Sequence, residues 1–308
     1  MQALVLKLCL LFILRVRKSE AVQEAFHGDA EKLAIEGDRS VVVARYGVPD
    51  AGRVLLFDPG SFGIYADFHH IAQHLAREDW YVIAMTRAGM YQSDPLPEGQ
   101  DPVPRFHVAD MARVLDTLGI DRKVILAGHS MAGVRLHMAG RIMPERFRGL
   151  ALLDAVCPSQ MRGLAWAGWV AWAQLIGRAG ARFARSRMGG LMESVHPNLL
   201  KLEGQPRNDK LASVMSEKHL RCAAREVAVT ERKALGEPVE PAIKLPAFFA
   251  TATQVSQGTS ELLREYEKEG TWTRRIHLKN DGHMSMLTPP SSHLIAEGID
   301  ELWEAGAR

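Results

Sequence analysis

Cysteine is scarce in this chain and is spaced too widely to form a framework. The 308 residues contain three cysteines, Cys9, Cys157 and Cys222. Their number is odd, and they lack the close spacing of metal ligands. We therefore expect reduced thiols and no disulfide framework. Nothing in the sequence calls for a metal or an organic cofactor. The chain also lacks a large excess of charge of either sign. The formal net charge of +2 gives no reason to expect a nucleic-acid partner.

A long hydrophobic run is absent as well. The run from Ala3 to Leu14 contains Lys7 and is too short for an ordinary membrane span. Positive charges follow it and no small-x-small cleavage site appears, so it fits a signal peptide poorly. Two interpretations stay open: an amphipathic helix packed on the body, which we favour, and an interfacial membrane anchor. We expect a cytoplasmic protein and make no prediction of its oligomeric state.

The most informative motif of the sequence is a serine, Ser130, between a predicted strand and a predicted helix. Residues 124–127 form a short apolar run, and the pattern after Ser130 predicts a helix that ends before Pro144. Gly128 and Ala132 are small residues two positions before and two after Ser130. The nucleophile elbow G-x-S-x-G needs small residues there because its turn strains the serine backbone. Alanine departs from the usual second glycine but stays small.

Predicted strands and helices alternate along most of the chain. Residues 33–36 and 40–44 flank Gly37-Asp38, which predicts a hairpin. Apolar runs at 54–57, 82–85, 124–127 and 150–153 predict buried strands, and helices are predicted at 65–76 and 108–118. This alternation predicts an α/β fold with a doubly wound, mostly parallel sheet.

Three regions are predicted along the chain. They are an N-terminal apolar segment (residues 1–30), a core (31–156 and 246–308) and an inserted helical lid (157–245). In the lid we predict that Trp166, Trp169 and Trp172 share one stripe of a helix, with Arg178, Arg182 and Arg185 following at helical spacing. A second lid helix is predicted over residues 211–235. We expect the tryptophans mainly to pack the lid, with Trp166 and Trp169 as candidates to contact an apolar substrate.

The elbow is one of four motifs that resemble the α/β-hydrolase-fold superfamily. Residues 57–63 resemble its oxyanion loop, residues 87–94 its Asp-Arg-x-Gly-x-G-x-Ser-Asp loop, and residues 280–284 the loop of its catalytic histidine. Besides Ala132, three positions depart from the pattern: Pro59 stands where histidine is usual, Thr86 where an acid is usual, and Gln92 where a small residue is usual. The likeness runs from about Leu33 to Trp303.

The resemblance implies a Ser-His-acid triad. Serine is a poor nucleophile at its own pKa, so Ser130 needs a base, and that base needs an acid to hold its tautomer. His283 is the candidate base, since it lies between the last predicted strand, residues 272–278, and the predicted closing helix, residues 294–303. The usual acid position after residues 247–250 holds no carboxylate. We assign Asp154 instead, at a location that some dehalogenases and zearalenone-type lactonases use. Asp281 is the rival acid, and a turn-capping role for Asp154 is the alternative.

In this fold two backbone N–H groups bind the oxyanion. The resemblance assigns those of Ser61 and Met131, with Gly60 letting the loop approach the substrate and Phe62 contacting it. We predict a serine hydrolase acting on a carboxylic ester or lactone with an apolar part. The same triad could cleave amides or carbon–carbon bonds, and a non-catalytic ligand-binding protein is the alternative from another class.

Overall fold

The computed structural model describes residues 30–157, 160–161, 163–184, 200–234, 244–252, 263–264, 266–268 and 271–307. Predictions for Cys9, for Arg185 and for almost the whole N-terminal apolar segment lie outside these residues.

Eight strands form one sheet in the order β1-β2-β4-β3-β5-β6-β7-β8. Strands β1 and β2 form the predicted antiparallel hairpin, β2 runs antiparallel to β4, and all other neighbours are parallel. At the hairpin turn Gly37 has a φ of 55°, a conformation that glycine adopts without strain. The mostly parallel sheet is thus confirmed. The strands are β1 (Ala30–Glu36), β2 (Arg39–Tyr46), β3 (Arg53–Asp58), β4 (Trp80–Thr86), β5 (Val124–His129), β6 (Phe147–Leu153), β7 (Ala247–Thr251) and β8 (Thr273–His277).

Helices cover both faces of the sheet. Helices α1 and α7 pack on one face through residues such as Leu75 and Ile299, while α2 and α3 pack on the other through Val114 and Leu136. Every residue of β4, β5 and β7 is buried, as expected for parallel strands covered on both sides. The helices are α1 (His69–Leu75), α2 (Pro104–Thr117), α3 (Ala132–Ile142), α4 (Gly163–Ala184), α5 (Gly204–Val214), α6 (Glu217–Ala234) and α7 (Ser291–Ala305).

Helices α4, α5 and α6 lie between β6 and β7 in the chain, and we call them the insert helices. The prediction of one helix over residues 211–235 is wrong, because α5 ends at Val214 and α6 begins at Glu217. The hydroxyl of Ser216 accepts a hydrogen bond from the amide of His219 at 3.3 Å, so Ser216 caps the start of α6. None of the helices in the described ranges is both long and apolar enough to cross a bilayer.

The three tryptophans of α4 do not share one environment. Trp166 is buried and Trp169 half-buried, whereas Trp172 is 55% exposed. Each step of three residues falls short of a full turn by about 60°, so two steps rotate the side chain by about 120°. The predicted common stripe is therefore wrong for Trp172, which points to solvent.

Candidate active site

Ser130 lies at the turn between β5 and α3. Its φ is 57°, a left-handed conformation that is strained for any residue with a side chain. The carbonyl oxygen of Ser130 accepts hydrogen bonds from the amides of Gly133, at 3.0 Å, and Val156, at 2.8 Å. A Cβ at Gly128 would lie 2.6 Å from the Cβ of Ala132, so residue 128 must be glycine here. The turn has the strand–turn–helix geometry of a nucleophile elbow.

His283 and Asp154 face each other at the carboxyl ends of the parallel strands. The distance from His283 Nδ1 to Asp154 Oδ2 is 2.7 Å. The amide of Ala252 donates to the other carboxylate oxygen at 3.4 Å. Because Ala252 directly follows β7, the Asp154 carboxylate reaches the place where the usual acid would stand. With Nδ1–H donated to Asp154, the Nε2 of His283 is left to accept a proton, and this side chain is 42% exposed.

Asp281, the rival acid, has a different environment. Its carboxylate accepts hydrogen bonds from the hydroxyl of Ser285, at 2.9 Å, and from the hydroxyl of Ser291. Ser291 is the first residue of α7. Asp281 therefore ties the histidine loop to α7, and the structure pairs Asp154 with the histidine.

His129 connects the histidine loop to β5. This residue is buried, and its Nε2 donates to the carbonyl oxygen of His283 at 2.8 Å. The two imidazole rings lie 4.2 Å apart between centroids. Burial and the neighbouring His283 lower the pKa of His129 to about 3, so it stays neutral at physiological pH. Its hydrogen bond to the backbone of His283 therefore supports the histidine loop.

The loop after β3 lies directly against Ser130. A Cβ at Gly60 would be 2.9 Å from the Cβ of Ser130, so only glycine allows this approach. Ser61 follows Gly60. Met131 is the N-cap of α3, where the helix dipole favours negative charge. Of the two predicted oxyanion amides, that of Met131 follows Ser130 in the chain, and that of Ser61 follows Gly60, the residue that approaches Ser130.

Four buried charged side chains surround the oxyanion loop. Arg87 follows β4, Arg135 lies in α3, Asp58 ends β3, and Glu226 comes from α6; all four are fully or almost fully buried. Arg87 lies 3.0 Å from Asp58 and 3.1 Å from Glu226, and Arg135 lies 2.5 Å and 2.7 Å from the same two carboxylates. Two positive and two negative charges balance, which offsets the cost of burying them. We call these residues the buried quartet.

The arginines of the buried quartet also bind the loop backbone. Arg87 donates to the carbonyl oxygens of Gly60, at 2.9 Å, and Pro59, and Arg135 donates to that of Pro59 at 2.8 Å. Through Glu226, helix α6 is therefore linked to the loop that carries the predicted oxyanion amide of Ser61. Sequence reasoning missed Arg135 and Glu226. The signal that could have found them is a charged residue within an apolar stretch of a helix.

An apolar cluster includes Met131, the residue that follows Ser130. Trp166 of α4 packs with Met131 and Val134, and Phe62 and Trp169 pack against this cluster. The rings of Trp166 and Trp169 stack at 5.2 Å between centroids. The structure thus brings together the side chains predicted to contact substrate, and they are of the type that lines pockets for apolar groups.

Metal-ligating side chains are not clustered in the described part of the chain. No group of three or more His, Cys, Asp or Glu side chains there is arranged to hold an ion. Cys157 and Cys222 are both reduced. Burial, together with the nearby Glu226, raises the pKa of the Cys222 thiol to about 11, so it stays protonated at neutral pH.

Residues 53–198 match the family model described as the alpha/beta hydrolase fold, and the mostly parallel sheet of eight strands agrees with that fold. The chain has the α/β-hydrolase fold. Solved structures of this fold include an epoxide hydrolase of Vigna radiata, at 17% identity and a TM-score of 0.69 over 90% of this chain and 100% of that chain. An esterase of Thermogutta terrifontis is similar at 17% identity and a TM-score of 0.61, over 89% and 99% of the two chains.

A structure from work on carboxylesterases of the thaumarchaeon Nitrososphaera gargenis is similar at 15% identity and a TM-score of 0.62, over 88% of this chain and 98% of that chain. No curated protein matches this α/β-hydrolase-fold sequence significantly. Identities this low show the fold alone, so the chemistry must be argued from the site.

Proposed function

We propose that this chain is a serine hydrolase that cleaves a carboxylic ester or lactone with an apolar part through an acyl-enzyme. The observation that carries the proposal is the 2.7 Å contact between Asp154 and His283 at the sheet edge where the strained Ser130 lies. A serine needs a base to become a nucleophile, and the base needs an acid that stabilises its protonated form.

Each residue has one task in the proposed reaction. Ser130 Oγ attacks the acyl carbon while His283 Nε2 takes its proton, and the amides of Ser61 and Met131 donate to the oxyanion. His283 then returns the proton to the leaving alkoxide, which departs as an alcohol or, in a lactone, stays attached as a hydroxyl. Water attacks the acyl-enzyme with His283 again as base, which releases the acid and restores Ser130. Asp154 stabilises the imidazolium in both halves.

Two features support an ester or lactone with an apolar part. The cluster of Phe62, Met131 and Trp166 offers an apolar surface to an acyl or alkyl group. The elbow holds serine, whereas the epoxide-hydrolase and dehalogenase branches of the fold use an aspartate there. Amides and carbon–carbon bonds would need the same triad, so a panel of substrates has to separate them.

Hydrolysis of p-nitrophenyl esters with short and medium acyl chains tests the proposal. We expect Ser130→Ala and His283→Ala to lower kcat by about 10⁴-fold or more, and Asp154→Asn by about 10⁴-fold. Asp281→Asn is the matched control: it changes a carboxylate of the same loop region and should lower kcat far less than Asp154→Asn. All variants should keep the wild-type circular dichroism spectrum.

Labelling by a fluorophosphonate separates the enzyme from a non-catalytic relative, because only an activated serine reacts. Wild type that neither turns over esters nor is labelled would favour the ligand-binding alternative. Near-normal activity of Asp154→Asn would remove Asp154 as the acid and leave the rest of the proposal standing.

A further inference from the structure

The outward face of α4 is apolar over its first three turns. At about 100° per residue, the six solvent-exposed residues between positions 164 and 175 fall within a face of about 140°. The opposite side of the helix packs inward through Trp166, Val170 and Ala173. Helix α4 is thus apolar on both sides here, and we call its exposed side the outer face. Its residues are Leu164, Ala167, Gly168, Ala171, Trp172 and Leu175.

Large exposed apolar side chains are concentrated on this face. Leu164 is 93% exposed, Leu175 63% and Trp172 55%. The other large exposed apolar side chains in the described residues are scattered over the loops and over α3 and α7. Single exposed apolar residues are ordinary on a protein surface. A stripe of them on one helix marks an interaction surface.

Positive charge continues the outer face toward the end of the helix. Arg178 and Arg182 are exposed, and on the helical projection they lie within about 40° of Leu164. Helix α4 contains no Asp or Glu, so the helix itself does not neutralise these charges. Leucine and tryptophan followed by arginine on one face is the pattern of a helix that lies in the interface of a membrane. The charge complements anionic headgroups.

We propose that the outer face of α4 docks on an anionic lipid surface. Leu164, Trp172 and Leu175 enter the boundary between headgroups and acyl chains, and Arg178 and Arg182 bind lipid phosphates. The amphipathic indole of Trp172 suits that depth. This inference concerns where the protein acts and is independent of the proposed ester chemistry.

Two other occupants fit the outer face less well. The N-terminal segment carries Arg15, Arg17 and Lys18 after its apolar run, and a second copy of the chain carries the same arginines on the same face. The first acids of that segment, Glu20 and Glu24, come only after these three cations. Either occupant therefore sets positive charge beside the arginines of α4, whereas anionic lipid supplies the opposite charge.

Co-sedimentation of the full chain with lipid vesicles tests the proposal. Vesicles of phosphatidylcholine alone are compared with vesicles that also contain phosphatidylglycerol. We expect wild type to bind the anionic vesicles more tightly, and increasing salt to weaken the binding. Leu164→Gln/Leu175→Gln should weaken binding to anionic vesicles by about tenfold or more. Arg178→Gln/Arg182→Gln should remove most of the preference for anionic lipid.

The matched control is Val48→Gln/Leu294→Gln, which replaces two apolar side chains that are also exposed but lie off α4. This variant should bind vesicles like wild type. Failure of wild type to bind either vesicle overturns the proposal. Undiminished binding of Leu164→Gln/Leu175→Gln also overturns it and assigns the membrane contact elsewhere. If wild type is a dimer in light scattering and Leu164→Gln/Leu175→Gln is a monomer, a second copy covers the outer face. That result also overturns the proposal.

Discussion

Helices α6 and α4 belong to the same insert but are attached to the core in different ways. Helix α6 is joined by charge as well as by apolar contact, because Glu226 pairs with Arg87 and Arg135 in a fully buried setting. Its apolar contact comes from Val227, which lies in the apolar cluster that holds α4. Helix α4 is joined by apolar contact, with Trp166 packed on α3. Hydrogen bonds between ions have strict directions, whereas apolar packing is non-directional. The difference suggests that α6 sets the geometry of the oxyanion loop, while α4 supplies apolar surface.

Helix α5, like α6, is attached to the core by polar and charged side chains. Asp209 accepts hydrogen bonds from the hydroxyls of Tyr91, at 2.9 Å, and Tyr65, and Lys210 pairs with Asp67 at 2.6 Å. Tyr65 and Asp67 lie in the turn of 3₁₀ helix that follows the oxyanion loop. Two of the three insert helices are therefore held by polar groups next to the loop that carries Ser61.

The largest effect is expected from breaking the charged attachment. Glu226→Leu leaves Arg87 and Arg135 buried with an uncompensated charge, so we expect the free energy of unfolding to fall by about 3–5 kcal/mol. In the folded fraction kcat should also fall, more than KM rises, because the arginines no longer hold Pro59 and Gly60 in place. Urea unfolding and steady-state kinetics measure the two effects.

Glu217→Leu is the control for this comparison, since Glu217 lies on the same helix and pairs with Arg221 on the surface. A surface pair contributes about 1 kcal/mol or less. If Glu226→Leu were as stable as Glu217→Leu, the buried ion pairs of α6 would contribute no more to stability than a surface pair.

Acidification should sharpen the comparison, because it acts on α6 and not on α4. His219 of α6 accepts a hydrogen bond from the amide of Tyr91 at 3.1 Å. Burial and the charge of Lys210 lower the pKa of His219 from 6.5 to about 3. Between these values the unfolded chain binds the proton and the folded chain does not, so stability is lost as pH falls from about 6.5. His219 alone is expected to contribute about 2 kcal/mol to the loss of stability between pH 7 and pH 5.

Urea unfolding of wild type and His219→Gln at pH 7 and pH 5 measures this contribution. The variant is expected to be less stable at pH 7, but its loss between the two pH values should be smaller by about 2 kcal/mol. His293→Gln, on the exposed surface of α7, should keep the wild-type difference. An unchanged pH dependence in His219→Gln would show that this histidine is not held neutral.

The smallest effect is expected in the apolar attachment. Val170→Ala removes two methyl groups from the cluster around Met131, which should lower the free energy of unfolding by about 1.5 kcal/mol. The loss should be the same at pH 7 and pH 5, because no charge is involved. Val48→Ala, at an exposed position, should change stability by less than about 0.5 kcal/mol. A loss in Val170→Ala that grows on acidification would contradict the distinction between the two helices.

Local patterns were enough for much of the fold and for the elbow. Alternating apolar runs predicted the hairpin and the parallel sheet, and the spacing of Gly128, Ser130 and Ala132 predicted the strained turn. The prediction that Asp154 stands by His283 needed the absence of a carboxylate after β7 as well. The structure shows these two side chains in contact, while their catalytic roles remain part of the proposal.

The prediction failed where a local pattern continued through a change of structure. Apolar and polar residues alternate with helical spacing across residues 211–235. This spacing predicts one helix, although the cap at Ser216 begins a second one. In α4 the spacing of three residues suggested a common stripe, yet the rotation of the helix turns Trp172 outward. Both mispredictions have the same physical cause: a helical repeat in the sequence does not report which face of the helix the core covers.

The sequence by itself determined the order of strands and helices, the serine turn and the pool of candidate catalytic residues, because these depend on neighbours within a few positions. Only the tertiary structure decided that Glu226 meets Arg87 and Arg135, partners 139 and 91 residues away, and that one side of α4 is left uncovered. Such pairings depend on how elements pack and in which register. Hydrophobic periodicity reports which residues are buried but not what they are buried against.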